Sequence, residues 1–348
     1  MEFSWKTLTG ILAEEESGVA VCTIVDKRGS VPRGIGTRML VRADGSIDGT
    51  IGGGIGEHDI IARARQAIST RESLTVRVSL AGEQGLESPA ICGGWFETLI
   101  CHWSADDYPL AEKIALKLDE SHPVILLEVV NGNASFPTGS RLLLEPESKV
   151  ILAEAGMPNG GGKLAHAWQP EQKNGVFTLE GCRVLVTPLM PRPQMVIFGA
   201  GHLAIPLVEM ASWCDFEITV IDDRQEFASP TRFPRAGRVI VAPMENIRGL
   251  SLSSPTTYFI LITREHRYDD VLLRQLIGTP YAYLGMIGSR RRTMSVKERL
   301  IADGFPAAEV QALHAPIGVN IGAQTPEEIA ISIMAEVIAV KNRSLYKE

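Results

Sequence analysis

Apolar residues along the chain recur in two different rhythms, and the change between them falls near residue 190. In the first part, short apolar runs predict strands at Val19–Val25, Leu74–Leu80, Trp95–Cys101, Val124–Val130 and Arg141–Leu144. Arg38–Arg42 and Ser46–Ile51 flank Ala43-Asp44-Gly45, whose Asp-Gly step suits the positive φ angles of a tight hairpin. Helical patterns cover Ser4–Glu16 and run from Glu57 to about Ile68. That mixture predicts an α+β domain. In the second part, strands expected at Met195–Phe198, Phe216–Ile221, Arg238–Val241, Thr257–Ile262 and Tyr281–Met286 alternate with helices near Leu203–Ser212, Asp269–Leu276 and Thr293–Ala302. Alternation of this kind implies right-handed crossovers and a doubly wound parallel sheet of Rossmann type. A last helix follows Thr325-Pro326-Glu327-Glu328, a capping box with Pro in its first turn.

The two parts meet where the strand Val184-Leu185-Val186 runs into Pro188, Pro191 and Pro193, a density of proline that predicts a stiff connector. The expected organisation is therefore an N-terminal α+β domain over 1–190, a linker over 191–194 and a Rossmann-like domain over 195–348. No internal repeat stands out, and Asn159–Lys163 is expected to be a surface loop. It is not a phosphate-binding Walker loop, because Leu164 stands where Ser or Thr would have to reach magnesium.

Composition narrows the function. With 348 residues, 45% hydrophobic and 22% charged, the chain is globular in character. A net charge of -7 argues against a grip on nucleic acid, where Lys and Arg must dominate. Five cysteines form no C-x-x-C pair, so neither a disulfide framework nor a structural zinc site is expected. The scattered histidines lack ligand spacing, so no metal site is assigned. Glu14-Glu15-Glu16 stands where a signal peptide would be apolar, and the apolar stretch Ile329–Val340 is broken by Glu336. The expectation is a cytoplasmic protein with no membrane and no nucleic-acid partner, forming a homodimer by the general frequency of two-fold symmetry.

Candidate chemistry lies in glycine-rich turns. Gly199-Ala200-Gly201-His202 joins a strand to a helix in the manner of a dinucleotide fingerprint, and Asp222 and Asp223 end the next strand, where a ribose acceptor is expected. Gly29-Ser30-Val31-Pro32-Arg33 can supply amides and a guanidinium to a phosphate. Gly52-Gly53-Gly54 ahead of Glu57 reads as a helix start kept open for a ligand. Cys92-Gly93-Gly94 presents a sterically open thiol suited to a soft metal or sulfur. Gly288-Ser289-Arg290 and Arg264-Glu265-His266 follow strands of the parallel sheet, where ligands of α/β folds bind. Neither G-x-S-x-G nor H-E-x-x-H occurs, and no complete catalytic constellation is present.

Taken together these segments resemble the XdhC/CoxI family of xanthine dehydrogenase accessory proteins. The resemblance rests on Gly29-Ser30-Val31-Pro32-Arg33, Gly49-Thr50-Ile51-Gly52-Gly53-Gly54 and Glu57 at the amino end. In the second half it rests on Phe198-Gly199-Ala200-Gly201-His202, Asp222-Asp223-Arg224, Thr263-Arg264-Glu265-His266 and Gly288-Ser289-Arg290-Arg291, with His314 to Ala330 the most specific match. It implies a chaperone that binds the molybdenum cofactor in its molybdopterin form, protects it during sulfuration and delivers it to an apo molybdenum hydroxylase of xanthine dehydrogenase type. A cysteine desulfurase is a further partner in that reading. Family members commonly place Cys directly after the glycine triplet; here Ile55 stands there, which leaves Cys92 as the candidate thiol. The alternative is an NAD(P)-dependent oxidoreductase built on the turn at Gly199 and on Asp223.

Overall fold

In the computed structural model, which describes residues 3–14, 18–29, 31–79, 94–170, 174–264 and 266–345 (backbone alone at 55, 266, 267 and 343–345), the chain divides into two units between Pro191 and Arg192. The first unit opens with α1 (Trp5–Glu14), β1 (Val19–Arg28), β2 (Arg38–Val41), β3 (Ile47–Gly49), α2 (Gly54–Thr70), β4 (Leu74–Ser79) and β5 (Trp95–Trp103). It continues with α3 (Tyr108–Asp119), β6 (Val124–Asn131), β7 (Arg141–Leu144), β8 (Ile151–Ala155), α4 (Gly162–Ala167), β9 (Gly175–Leu179) and β10 (Cys182–Leu189). The strands form two antiparallel sheets, ordered β3-β2-β1-β5-β4 and β8-β7-β6-β10-β9.

These two halves are the same structure built twice. Each runs helix, three strands, helix, two strands, and each gives its sheet the same order. The correspondence reaches single residues. The ladder of β1 with β5 is bulged at Val25, and the ladder of β6 with β10 is bulged at Val130. The Gly36 amide donates to the Ile24 carbonyl at 2.8 Å, as that of Gly139 does to Val129 at 2.8 Å. Arg38 opens β2 and Arg141 opens β7. The sequence expectation of no internal repeat is therefore corrected. The signal that could have revealed it is Gly36-Thr37-Arg38-Met39-Leu40-Val41 beside Gly139-Ser140-Arg141-Leu142-Leu143-Leu144.

Both faces of each sheet are covered, which is why the central strands read as continuous apolar runs. Val19, Val21 and Val25 of β1 join Leu126 and Val130 of β6, Leu8 of α1 and Ile114 of α3 in a core shared by the two repeats. The opposite face of the first sheet, with Cys22 and Ile24, packs under Ile60 and Ala64 of α2. The opposite face of the second, with Leu127 and Val129, packs under Leu164 of α4. The expected loop at Asn159–Lys163 ends in this short helix, so Lys163 is helical. Pro188 lies within β10, paired with Ile125, two residues past Val186, the last residue that β9 covers, where a missing amide proton is tolerated.

Charged groups inside the unit tie one repeat to the other. Arg38 donates to the fully buried Glu128 of β6 at 2.6 Å and reaches Thr187 of β10 at 3.3 Å. Arg141 of β7 donates to the His102 carbonyl of β5 at 3.3 Å, and Arg183 of β10 donates to Glu97 of β5 at 2.7 Å. Removing one member of a buried pair strands the other charge, which costs far more than the pair contributes net.

The second unit contains β11 (Gln194–Phe198), α5 (Ala204–Trp213), β12 (Glu217–Asp222), β13 (Arg238–Val241), β14 (Thr257–Leu261), α6 (His266–Leu276), β15 (Tyr283–Met286), α7 (Arg290–Ala302), α8 (Ala307–Ala312) and α9 (Pro326–Leu345). Its parallel sheet is ordered β13-β12-β11-β14-β15, so the direction of winding reverses at β11. Leu207, Val208, Ile333 and Val337 from α5 and α9 cover one face, while Leu272, Leu276, Val296 and Leu300 from α6 and α7 cover the other. The expected capping box forms: Thr325 Oγ1 accepts from the Glu328 amide, and Glu328 accepts from Thr325. Farther along α9, Glu336 accepts from the Tyr283 hydroxyl at 2.6 Å and the Gly318 amide at 2.7 Å, with His314 Nδ1 at 3.1 Å.

Glu128→Ala is expected to lower unfolding free energy in urea by about 3–5 kcal/mol, because Arg38 stays buried without its acid; a loss under about 1 kcal/mol would contradict that role. Burial pushes the Glu336 carboxyl up, but the bonds from Tyr283, Gly318 and His314 outweigh it and hold the group below its ordinary value. A depressed acid stabilises the fold fully above its unfolded pKa of about 4.3, and the contribution fades as pH falls through the lower folded value. Wild-type stability should accordingly drop more steeply than that of Glu336→Gln between roughly pH 5 and 3; parallel acid-unfolding curves would count against the network.

Candidate functional site

The register of the first sheet gathers three of the candidate turns. Arg28 pairs with Trp95, so Gly29, just past the end of β1, and Gly94, just before β5, lie at the same end of the sheet. Pro32 rests on Gly52, where a Cβ would come within 2.8 Å of Pro32 Cγ. Gly52, Gly53 and Gly54 all hold positive φ, at 139°, 74° and 74°, a run that side-chain-bearing residues adopt only with strain. Gly56, in the first turn of α2, packs on Val78 of β4 and Phe96 of β5. The structure thus brings together Gly29, Pro32, Gly52, Gly53, Gly54 and Gly94, with Arg33 exposed on the same loop as Pro32 and without an ion-pair partner among the described residues. Ser30, Cys92 and Gly93 lie outside the described residues.

Glu57 has a defined duty at this end. One carboxylate oxygen accepts from the Thr50 hydroxyl at 2.5 Å, the Ile51 amide at 3.0 Å and the Gly53 amide at 3.2 Å. It therefore holds the glycine loop in shape from inside the first turn of α2. The next amides, from Gly54 onward, begin the helix and have no intrahelical acceptor, so they carry the partial positive charge of a helix start. Among the described residues no atom stands within 4 Å of where a Cβ would project at Gly53 or Gly54, so these residues leave the approach to them open. Amides without acceptors, an open approach and a guanidinium with no ion pair among the described residues suit an anion. Among the described cysteines, Cys22 and Cys101 are wholly buried, and burial pushes both thiols up, so neither offers a thiolate. No cluster of three His, Cys, Asp or Glu side chains placed to hold a metal ion exists among the described residues.

The remaining candidates sit at the carboxyl ends of the parallel strands in the second unit. Gly199, at φ 110°, passes so close to β14 that a Cβ would come within 2.5 Å of the Ile262 carbonyl oxygen. Gly201 and the exposed His202 complete the turn into α5. Asp222, one of the two expected ribose acceptors, is already engaged. Its oxygens accept from Arg224 Nε at 2.8 Å, Arg224 Nη2 at 3.0 Å and the Ala200 amide at 2.7 Å. Burial pushes the Asp222 carboxyl up, but these bonds outweigh it and hold the group below the usual carboxylate range. Arg232 in turn donates to the Ala200 carbonyl at 2.9 Å. The glycine turn is therefore clamped by two arginines that its own motif does not contain.

Asp223 accepts from the Tyr268 hydroxyl at 2.8 Å and has Arg264 at 3.7 Å. His266 opens α6. The buried Asp269 binds the Thr263 hydroxyl at 2.6 Å and pairs with Arg292. Ser289 caps α7 by accepting from the Arg292 amide at 3.3 Å, after Gly288. Of the three arginines there, Arg292 is thus spent on Asp269, while Arg290 and Arg291 remain exposed with no ion pair among the described residues. Sequence reasoning missed Arg224, Arg232, Tyr268 and Asp269. The adjacency Asp222-Asp223-Arg224 was the available signal for the first; the others depend on contacts between distant segments.

Comparison with known proteins agrees with this division of the chain. Residues 12–79 match the model of the XdhC and CoxI family, and residues 195–337 match the XdhC Rossmann domain. An Escherichia coli protein named uncharacterized protein YqeB is 28% identical over 96% of this chain, which spans 45% of YqeB's own length. A Bacillus subtilis protein named as a probable xanthine dehydrogenase subunit is 26% identical over 98% of both chains. The Escherichia coli molybdenum cofactor insertion chaperone PaoD is 23% identical over 93% of this chain and 84% of its own. A crystal structure described as a xanthine dehydrogenase from Bacillus halodurans superposes with a TM-score of 0.79 at 25% identity, covering 98% of this chain and 96% of that one. With both of its units matched in this way, the chain belongs to the XdhC and CoxI family.

Proposed function

We propose that the protein is an accessory chaperone that takes up the molybdenum cofactor as cargo and delivers it to an apo molybdenum hydroxylase of the xanthine dehydrogenase type. The observation that carries this reading is the gathering of Gly29, Pro32, Arg33, the positive-φ triplet Gly52–Gly54 and Gly94 at one end of the first sheet. Molybdopterin ends in a phosphate, and the donors there suit one: helix-start amides at Gly54, the exposed guanidinium of Arg33 and, among the described residues, no side chain in the way. The cargo brings a dithiolene-held metal centre; the chain's part is to bind its phosphate end and hold it in place. Similarity to an insertion chaperone over most of the chain supports the same assignment.

The second unit supports recognition of an anion as well, through Arg264, Arg290 and Arg291 at the carboxyl edge of its sheet. Its glycine turn does not favour a dinucleotide. A ribose held by Asp222 would have to displace bonds from Arg224 and Ala200, and one held by Asp223 would compete with the Tyr268 hydroxyl. Oxidoreductase activity with NAD(P) finds no support in that geometry. No helix among the described residues is long and apolar enough to cross a membrane. We place the protein in the cytoplasm, where reduced thiols such as the free Cys22, Cys101, Cys182 and Cys214 are the rule.

Purified full-length protein incubated with molybdopterin and freed of excess ligand should yield a fluorescent oxidised pterin on denaturation. Arg33→Gln should cut affinity by about 10- to 150-fold, the worth of a charge-assisted phosphate contact of about 1.5–3 kcal/mol. Gly54→Val should abolish it, since Val is strained at that φ and projects into the open approach. Wild-type protein that releases no pterin, or an Arg33→Gln variant that retains as much, would refute the assignment.

A further inference from the structure

The duplication of the first unit raises the question of what its second repeat does with the segments that correspond to the glycine loops of the first. Thr138–Arg141 there occupies the place of Ile35–Arg38, and the segment following β8 occupies that of the triplet following β3. Between them lies a cleft of about 520 Å³, lined by Arg71, Ser73, His102, Thr138, Arg141 and Met157 among others. That volume falls in the range of about 300–1,000 Å³ typical of small-molecule sites. We propose that this cleft is a separate binding site for a small organic oxyanion, a phosphate ester or a carboxylate, distinct from the cofactor cradle and using none of its residues.

The charge balance of the walls points to an anion. Asp107 is the acid there, and it is spent: one oxygen binds Arg141 at 2.7 Å and the other accepts from the Ser104 amide at 2.9 Å. Arg141 is 5% exposed, stacks on Trp103 and gives a second bond to the His102 carbonyl, and its Nε has no partner among the described atoms. Arg71 follows α2 in the left-handed conformation, is exposed and makes no ion pair among the described residues. Once Asp107 and Arg141 cancel, the guanidinium of Arg71 is left as the uncompensated charge at the rim.

Donors and an apolar wall complete the site. The Thr138 hydroxyl accepts from the Gly132 amide at 3.0 Å, and its own proton is committed to no acceptor among the described residues. Ser73 accepts from the His102 amide at 3.2 Å, which fixes that wall. Met157, Pro137 and Pro158 offer apolar contact to the body of the ligand. Polar groups that set orientation over a partly apolar lining are the arrangement expected of a site for a small metabolite.

Calorimetry on the full-length protein at low ionic strength, with adenosine monophosphate in one arm and citrate in the other, tests the proposal and separates its two ligand sources. At least one should bind. Arg71→Gln should weaken that binding about tenfold, and Pro158→Trp, which fills the cleft from its exposed rim, should abolish it with an unchanged melting temperature. Arg33→Gln should leave it intact, which distinguishes this site from the cofactor cradle. Absence of heat with both probes, or wild-type affinity in either Arg71→Gln or Pro158→Trp, overturns the proposal.

Discussion

The first unit hangs on Glu128, a carboxylate with no solvent exposure that meets Arg38 from the other repeat at 2.6 Å. A five-stranded sheet with two apolar faces cannot stand alone, and each repeat exposes one such face to its twin through β1 and β6. Hydrophobic burial drives that pairing but sets no register, because apolar contact is non-directional. The Arg38 pair, with that of Arg183, supplies the direction. It fixes where the first repeat's loops end up, and the cradle at the start of α2 depends on that placement.

Within the cradle, stability and function press against one another. Three successive glycines at positive φ are costly in backbone entropy. The fold retains them by having Glu57 gather three donors of the loop onto one oxygen, leaving the next amides unpaired. In the second unit the balance falls the other way. Asp222 and Arg224 satisfy the glycine turn internally, and the exposed arginines move out to the ends of β14 and β15. Glycine-rich turns are thus left open in one unit, where we propose the ligand site, and braced as a corner in the other.

Much of this was legible in the residue pattern. Arg141–Leu144 and Arg238–Val241 were bounded correctly because short apolar runs ended at charged or turn residues on both sides. The parallel sheet followed from alternation, and the capping box at Thr325 is a local signature that forms as written. The glycine runs marked places where the backbone takes positive φ, at Gly52–Gly54 and Gly199, because backbone demands place glycines in such runs. The duplication was hidden because its two copies share little beyond a Gly-Ser/Thr-Arg step, with Gly52–Gly54 standing opposite a segment containing Met157 and Pro158. The contacts of Arg232 with Ala200 and of Asp269 with Arg292 were hidden because a pairing across many residues leaves no periodic trace.

Hydrogen–deuterium exchange of the full-length protein, with and without molybdopterin, addresses the cradle most directly. Slowed exchange concentrated in peptides spanning 29–36 and 52–57, with the strands of both sheets unchanged, is the predicted pattern. Protection absent from those two segments while the cofactor is bound elsewhere would contradict the account.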